Sequence, residues 1–191
     1  MFDLTGKVAL ITGSTKGIGK SIAEELAQAG ARVVISSRKA DAVAAVTQEF
    51  AGKGREAIGV PCNVGVKAEL QNLVDTTLAQ WGRIDVLVCN AAANPVFGPM
   101  AKVADEAFDK IMGTNVRSIF WLANMVLPQM AGRRDGAMII VSSIAALRGS
   151  SVNGLYGVSK AADAGLARAL AVEWGPHNIR VNCIAPGLIK T

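Results

Sequence analysis

Ser143, Tyr156 and Lys160 are the residues of this chain whose types and spacing best suit moving a proton. Tyr156 is the only tyrosine, and Lys160 follows it by four positions. On a helix, four positions is close to one turn, so both side chains leave the same face. A free phenol, with a pKa near ~10, is too weak an acid to exchange its proton readily at neutral pH. Bringing it to about 7 takes roughly 4 kcal/mol, at about 1.4 kcal/mol per unit. An ammonium about 4 Å away, at an effective dielectric of about 20, supplies roughly that amount. A serine hydroxyl can hold the oxygen of a carbonyl or alcohol while the tyrosine gives or takes the proton. The set then lacks only a hydride donor. Tyr-x-x-x-Lys also arises by chance on helices, and a Ser-Ser pair after a strand is commonly a loop start, so the preceding chain must decide.

The elements that would position these groups can be read from the apolar pattern. Met138-Ile139-Ile140-Val141 reads as a buried strand delivering Ser142 and Ser143 at its C-terminal end, and about Leu155 to Trp174 reads as a helix. Near the start, Lys7 to Thr12 reads as a strand that runs into Gly13-Ser14-Thr15-Lys16-Gly17-Ile18-Gly19 and then an amphipathic helix. Strand, glycine turn and helix together point to a phosphate site. Backbone can approach a pyrophosphate without Cβ atoms in the way, and the helix N-terminus offers free N–H groups and a positive dipole end.

A second strand, Arg32 to Ser36, ends at Ser37-Arg38-Lys39, with no acid before Asp41. An NAD-selective site wants a carboxylate there for the adenosine ribose. Arg38 can instead pair bidentately with a 2′-phosphate, with Lys16 as a second cation, so NADP(H) is favoured and NAD(H) remains possible. Arg38 and Lys39 could equally be solvated residues at a helix start. A helix from about Ala40 to Gly52 leads to a third strand, Ala57 to Val60, and then Cys62-Asn63-Val64. Asn63 could bond an adenine edge or simply make a turn. After a helix from about Lys67 to Trp81, a fourth strand, Ile84 to Cys89, ends at Asn90-Ala91-Ala92, where small residues let backbone approach a cofactor. One helix from about Asp105 to Met130 carries Asn115 near its middle, and Asn178 to Ile184 is a sixth strand. Strict alternation of strand and helix predicts an α/β fold, a doubly wound parallel sheet of the Rossmann type with helices on both faces.

Composition narrows the function classes. The 191 residues are 51% hydrophobic, enough for one well-cored domain. The net charge of +5 is scattered rather than clustered, which speaks against a nucleic-acid groove. Cys62, Cys89 and Cys183 all lie beside apolar strand-like runs and read as buried reduced thiols. The single histidine, His177, leaves no metal cluster. No signal peptide and no membrane-spanning run are seen, so a soluble, cytoplasmic protein is expected.

Together, Thr12-Gly13 with Gly17-Ile18-Gly19, Asn90-Ala91-Ala92, Asn115, Ser143, Tyr156-x-x-x-Lys160 and Pro186-Gly187 with Thr191 resemble the classical short-chain dehydrogenase/reductase family over the whole chain. Within it, Cys89 to Pro95, Val141 to Ile144 and Ala185 to Thr191 look most like NADPH-dependent carbonyl and retinal reductases. The resemblance implies a catalytic tetrad. Tyr156 is the acid/base, Lys160 lowers its pKa and holds the nicotinamide ribose, and Ser143 orients the substrate oxygen. Asn115 links Lys160 to solvent through its main chain and a water. It also implies that Thr191 and the backbone near Ile189, after Pro186-Gly187, bind the carboxamide, and that Asn90 borders the ribose.

The resemblance further implies an oligomer, a homotetramer or dimer, through the long helices around Asn115 and after Tyr156, whose surplus apolar surface includes Trp121 and Trp174. Asn63 stands where the family usually has an acid, and Ala92 where it usually has glycine. Family members also continue past the position of Thr191 into a substrate-covering segment and a seventh strand, so residues 1–191 are expected to be a fragment carrying the dinucleotide-binding part. The leading function is an NADPH-dependent oxidoreductase reducing a ketone or aldehyde. The alternatives are an NAD-linked alcohol or sugar dehydrogenase and a dinucleotide-binding sensor or scaffold without turnover.

Overall fold

The computed structural model of the chain describes residues 2–190. Six strands form one sheet: β1 (Val8–Thr12), β2 (Arg32–Ser36), β3 (Ala57–Gly59), β4 (Val86–Cys89), β5 (Gly136–Val141) and β6 (Ile179–Ile184). Their order is β3-β2-β1-β4-β5-β6, and every neighbouring pair is parallel. The helices are α1 (Gly17–Gln28), α2 (Ala40–Gly52), α3 (Lys67–Trp81), α4 (Asp105–Met112), α5 (Ser118–Arg133) and α6 (Gly154–Trp174). This is the expected doubly wound fold.

All five residues of β1 are buried, as a strand covered on both faces must be. Its side chains alternate between two cores. Ala9 and Ile11 join Val33, Ile35 and the α1 and α2 residues Ala23, Val43 and Phe50 on one face. Leu10 joins Val34, Leu87, Met138 and the α3 and α5 residues Leu73, Leu122 and Leu127 on the other. The chain reverses its winding between β1 and β4, so the connections that leave the C-terminal ends of these two strands run in opposite directions. That crevice is where open α/β sheets bind ligands.

The structure corrects three expectations. The stretch from Asp105 to Met130 is not one regular helix, because a π-helical turn, Gly113–Arg117, separates α4 from α5. The extra residue of that turn brings Asn115, which is fully buried, round to face the chain after β4. Cys62 and Cys89 are buried, but Cys183 is only partly so, since β6 is an outermost strand. Trp121 and Trp174 pack partly buried against the core. The surplus apolar surface on α5 and α6 is Phe120, Val158 and Val172. Smaller differences lie at element ends. Asn178 adopts a left-handed conformation (φ 61°) that closes a short turn, so β6 starts one residue later than its apolar pattern suggests. None of the described helices is long and apolar enough to cross a membrane.

Candidate active site

The glycine turn between β1 and α1 is built around backbone that tolerates no side chain. Gly13 has φ 68°, and a Cβ there would press on Asn90 and Ala91. A Cβ at Gly19 would overlap the Gly13 carbonyl and the Asn90 amide. Asn90 braces the turn, its Nδ2 donating to Thr12 O at 2.9 Å and Gly13 O at 3.1 Å. Thr12 Oγ1 accepts from the N–H groups of Asn90 and Ala91 at 3.0 and 3.1 Å, which locks the end of β1 to the end of β4. Thr12 is therefore as much a part of the turn as the glycines, in keeping with its place in the Thr12-Gly13 motif. Helix α1 starts with no side-chain cap and no acid in its first turn, so its first N–H groups are left for a ligand.

A cleft runs over this turn. Gly13, Thr15, Lys16, Gly17, Ile18 and Gly19 form its floor, and Ser37, Arg38, Asn63, Val64, Asn90, Ala91 and Ala92 also line it. Ser14 does not. Its side chain is fully buried, with Oγ donating to Ile11 O and accepting from Ser36 N, both at 2.8 Å. Lys39 does not line it either; it is exposed at the N-cap position of α2, with no capping bond from its side chain. Asn63 makes a turn, its Oδ1 accepting from Gly65 N at 3.1 Å, while still bordering the cleft. Lys110 and Thr114 complete the wall from α4 and the π turn, and neither stood out in the sequence. Three features suit a dinucleotide. The floor lacks Cβ atoms where backbone is closest, Ser37 Oγ is buried with no partner, and Arg38 makes no ion pair among the described residues.

Beyond Ala92 and Ala93 the cleft opens into a second hollow that contains Ser143 and Tyr156, with Gly187 and Ile189 on its far side. Pro186 holds this wall by accepting from Ile144 N at 3.0 Å. Thr191 lies outside the described residues. Ser143 follows β5 and accepts from Ala145 N at 3.1 Å, so its hydroxyl is fixed at the head of a short turn. Gly157 lets α6 approach that turn, since a Cβ there would lie 2.8 Å from Ala145 O. Tyr156, the residue before it, is thereby brought into the hollow beside Ser143.

Lys160 stands one turn below Tyr156 and is only 2% exposed. Its Nζ donates to Val141 O at 2.9 Å and to Asp163 Oδ2 at 3.0 Å, and it lies 5.8 Å from the centre of the Tyr156 ring. Burial pushes the Asp163 carboxyl up to about 6, against the opposing pull of the Lys160 ammonium. Asn115 closes the site from behind. Its Oδ1 accepts from Ala93 N at 2.7 Å, and its Nδ2 donates to Ala93 O and to Ser159 Oγ, both at 3.0 Å. Its amide thus ties the end of β4 to α6.

Residues 7–191 match the model of the short chain dehydrogenase family. The chain belongs to that family. Dehydrogenase/reductase SDR family member 4 of Homo sapiens is 47% identical over 98% of this chain and 68% of its own length. The human SDR family member 2, described as mitochondrial, is 46% identical over 98% of this chain and 67% of its own. Among solved structures, a short-chain alcohol dehydrogenase of Sinorhizobium meliloti superposes with a TM-score of 0.94 at 36% identity, covering 100% of this chain and 75% of that one. A metagenomic short-chain oxidoreductase in complex with NADP gives 0.92 at 32% identity, covering 97% and 84%. As a short-chain dehydrogenase, the chain is an oxidoreductase of a family that binds NAD(P).

Proposed function

We propose that this short-chain dehydrogenase is NADPH-linked and reversibly reduces a ketone or aldehyde to an alcohol. The observation that carries the reading is the placement of Tyr156 beside Ser143 in a hollow continuous with the dinucleotide cleft, with the buried Lys160 ammonium 5.8 Å from its ring. When bound, the dinucleotide supplies the hydride. Ser143 Oγ holds the substrate oxygen, and Tyr156 gives that oxygen its proton as charge develops there, or removes it in the reverse direction. The Lys160 ammonium favours the phenolate left behind. Asn115 keeps Ala93 and Ser159 in register, so the cofactor side and the tyrosine side of the site stay aligned.

The NADPH preference rests on Arg38 and Lys16, both exposed at the cleft, and on the absence of an acid after β2. A charge-assisted bond to a phosphate is worth about 1.5–3 kcal/mol. Arg38→Asp should therefore swing the NADPH/NADH ratio of kcat/KM towards NADH by about 10- to 100-fold. Following oxidation of both coenzymes in parallel against a panel of ketones and aldehydes tests this directly. Turnover with NADH alone in the unaltered protein would replace the NADPH reading with an NAD-linked one.

The exposed apolar residues Phe120, Val158 and Val172 on α5 and α6 support association into a homodimer or homotetramer through these helices. Light scattering should give at least twice the monomer mass, and Val158→Glu should reduce it. A monomer at micromolar concentration would remove this reading.

A further inference from the structure

The Asp163 carboxylate has no task in the chemistry given to Tyr156, Ser143 and Lys160, yet it is completely buried beside them. Only one of its oxygens is used. Oδ2 accepts from Lys160 at 3.0 Å, while Oδ1 is buried with no partner among the described residues. A half-satisfied buried carboxylate is costly, and an apolar side chain would fill the position at less cost. Its one strong contact is to the ammonium that also faces the phenol.

The groups packed nearest this pair are two thiols and a hydroxyl. Cys89, at the end of β4, and Cys183, on β6, both feel Asp163 and Lys160, and burial pushes both thiols up, so they stay neutral. Ser142, at the end of β5, donates to the Lys160 carbonyl and does not titrate in this range. On the side of Tyr156, Arg148 lines the same hollow. Asp163 is the carboxyl of this cluster, and burial lifts it towards neutral pH.

We propose that Asp163 is a positioning residue that sets the pH at which Tyr156 exchanges its proton, by binding the Lys160 ammonium and cancelling part of its field at the phenol. The proposal rests on the reading of Tyr156 as the acid/base. With Asp163 ionised, the pair is close to neutral and Tyr156 holds its proton more tightly. With Asp163 protonated, the phenol faces an uncompensated cation and releases its proton more readily. Burial lifts the Asp163 carboxyl to about 6, so the carboxylate is present above that pH and lost below it.

Because Tyr156 is the only tyrosine, its ionisation can be followed without substrate, by NMR titration of the protein labelled with 13Cζ-tyrosine. Asp163→Asn is close to the native residue in volume and shape, while Asp163→Leu branches at the same atom but is bulkier. In each, the tyrosine resonance should titrate at lower pH than in the wild type, by about one unit. The rising limb of alcohol oxidation against pH should move in the same direction. In the wild type, the same resonance should show a small inflection near 6 as Asp163 titrates, and this needs no variant. No displacement in a folded variant, a displacement to higher pH, or a wild-type resonance flat through that range would each overturn the proposal. Turnover surviving in Tyr156→Phe would instead remove the acid/base reading while leaving the NMR displacement in place, so the two failures are told apart.

Discussion

Replacing Tyr156 by phenylalanine is expected to lower turnover by about 10²- to 10⁴-fold, the usual contribution of a positioned general acid. The substitution removes one hydroxyl and nothing else. That hydroxyl makes no hydrogen bond to another described residue, whereas the backbone around it is well tied: Ser159 Oγ donates to Tyr156 O at 2.7 Å. The melting temperature should therefore stay within about 0.5 kcal/mol equivalent of the wild type. Cofactor affinity, set mainly in the cleft on the other side of Ala92 and Ala93, should change by only a few-fold. Single-turnover measurement with NADPH and a ketone accepted by the wild type, alongside a fluorescence titration of the coenzyme, separates the two quantities. Unchanged turnover would mean that another group supplies the proton.

Gly19→Ala should act on the opposite half of the site. A methyl there would run into the Gly13 carbonyl and the Asn90 amide, and these are already bonded to each other at 3.1 Å. Neither can yield without opening the brace between β1 and β4. The overpacking should destabilise the protein by about 1–3 kcal/mol and weaken NADPH binding by at least about tenfold. Gly52→Ala is the matching control, since a Cβ at the end of α2 meets nothing within 4 Å. There the change should be neutral or stabilising, by up to about 1 kcal/mol. Thermal melts and coenzyme titration of both variants decide it. Native affinity in Gly19→Ala would show that the turn is looser than its hydrogen bonds indicate.

The sheet was legible because its strands are short, apolar on both faces and punctuated by polar or glycine turns. The register of β1 against β4 was not, because runs apolar on both faces carry no alternation to fix it. The floor of the cleft was legible for a related reason: glycine is nearly the only residue that permits that backbone. Side-chain direction was harder to read. A serine in a glycine turn looks the same whether it faces a ligand or, like Ser14, the interior. Asp163 stands three positions after Lys160 and so shares its helix face, but the sequence does not say how deeply that face is buried. Asn115 was read as a site residue, but the three hydrogen bonds of its amide depend on a backbone irregularity that residue types alone do not reveal.

That irregularity makes the number of residues between α4 and α5 matter as much as their identity. A π turn holds one residue beyond what an α-helix would use for the same rise, and each residue in an α-helix rotates the chain by about 100°. Taking one residue out of 113–117 would let the two helices merge into one regular helix whose outer parts, Ile111 included, keep their direction, while the side chains inside the turn re-aim and Asn115 leaves Ala93. Chimeras that join this protein to a relative near the π turn must therefore match the residue count across the junction before they match its composition.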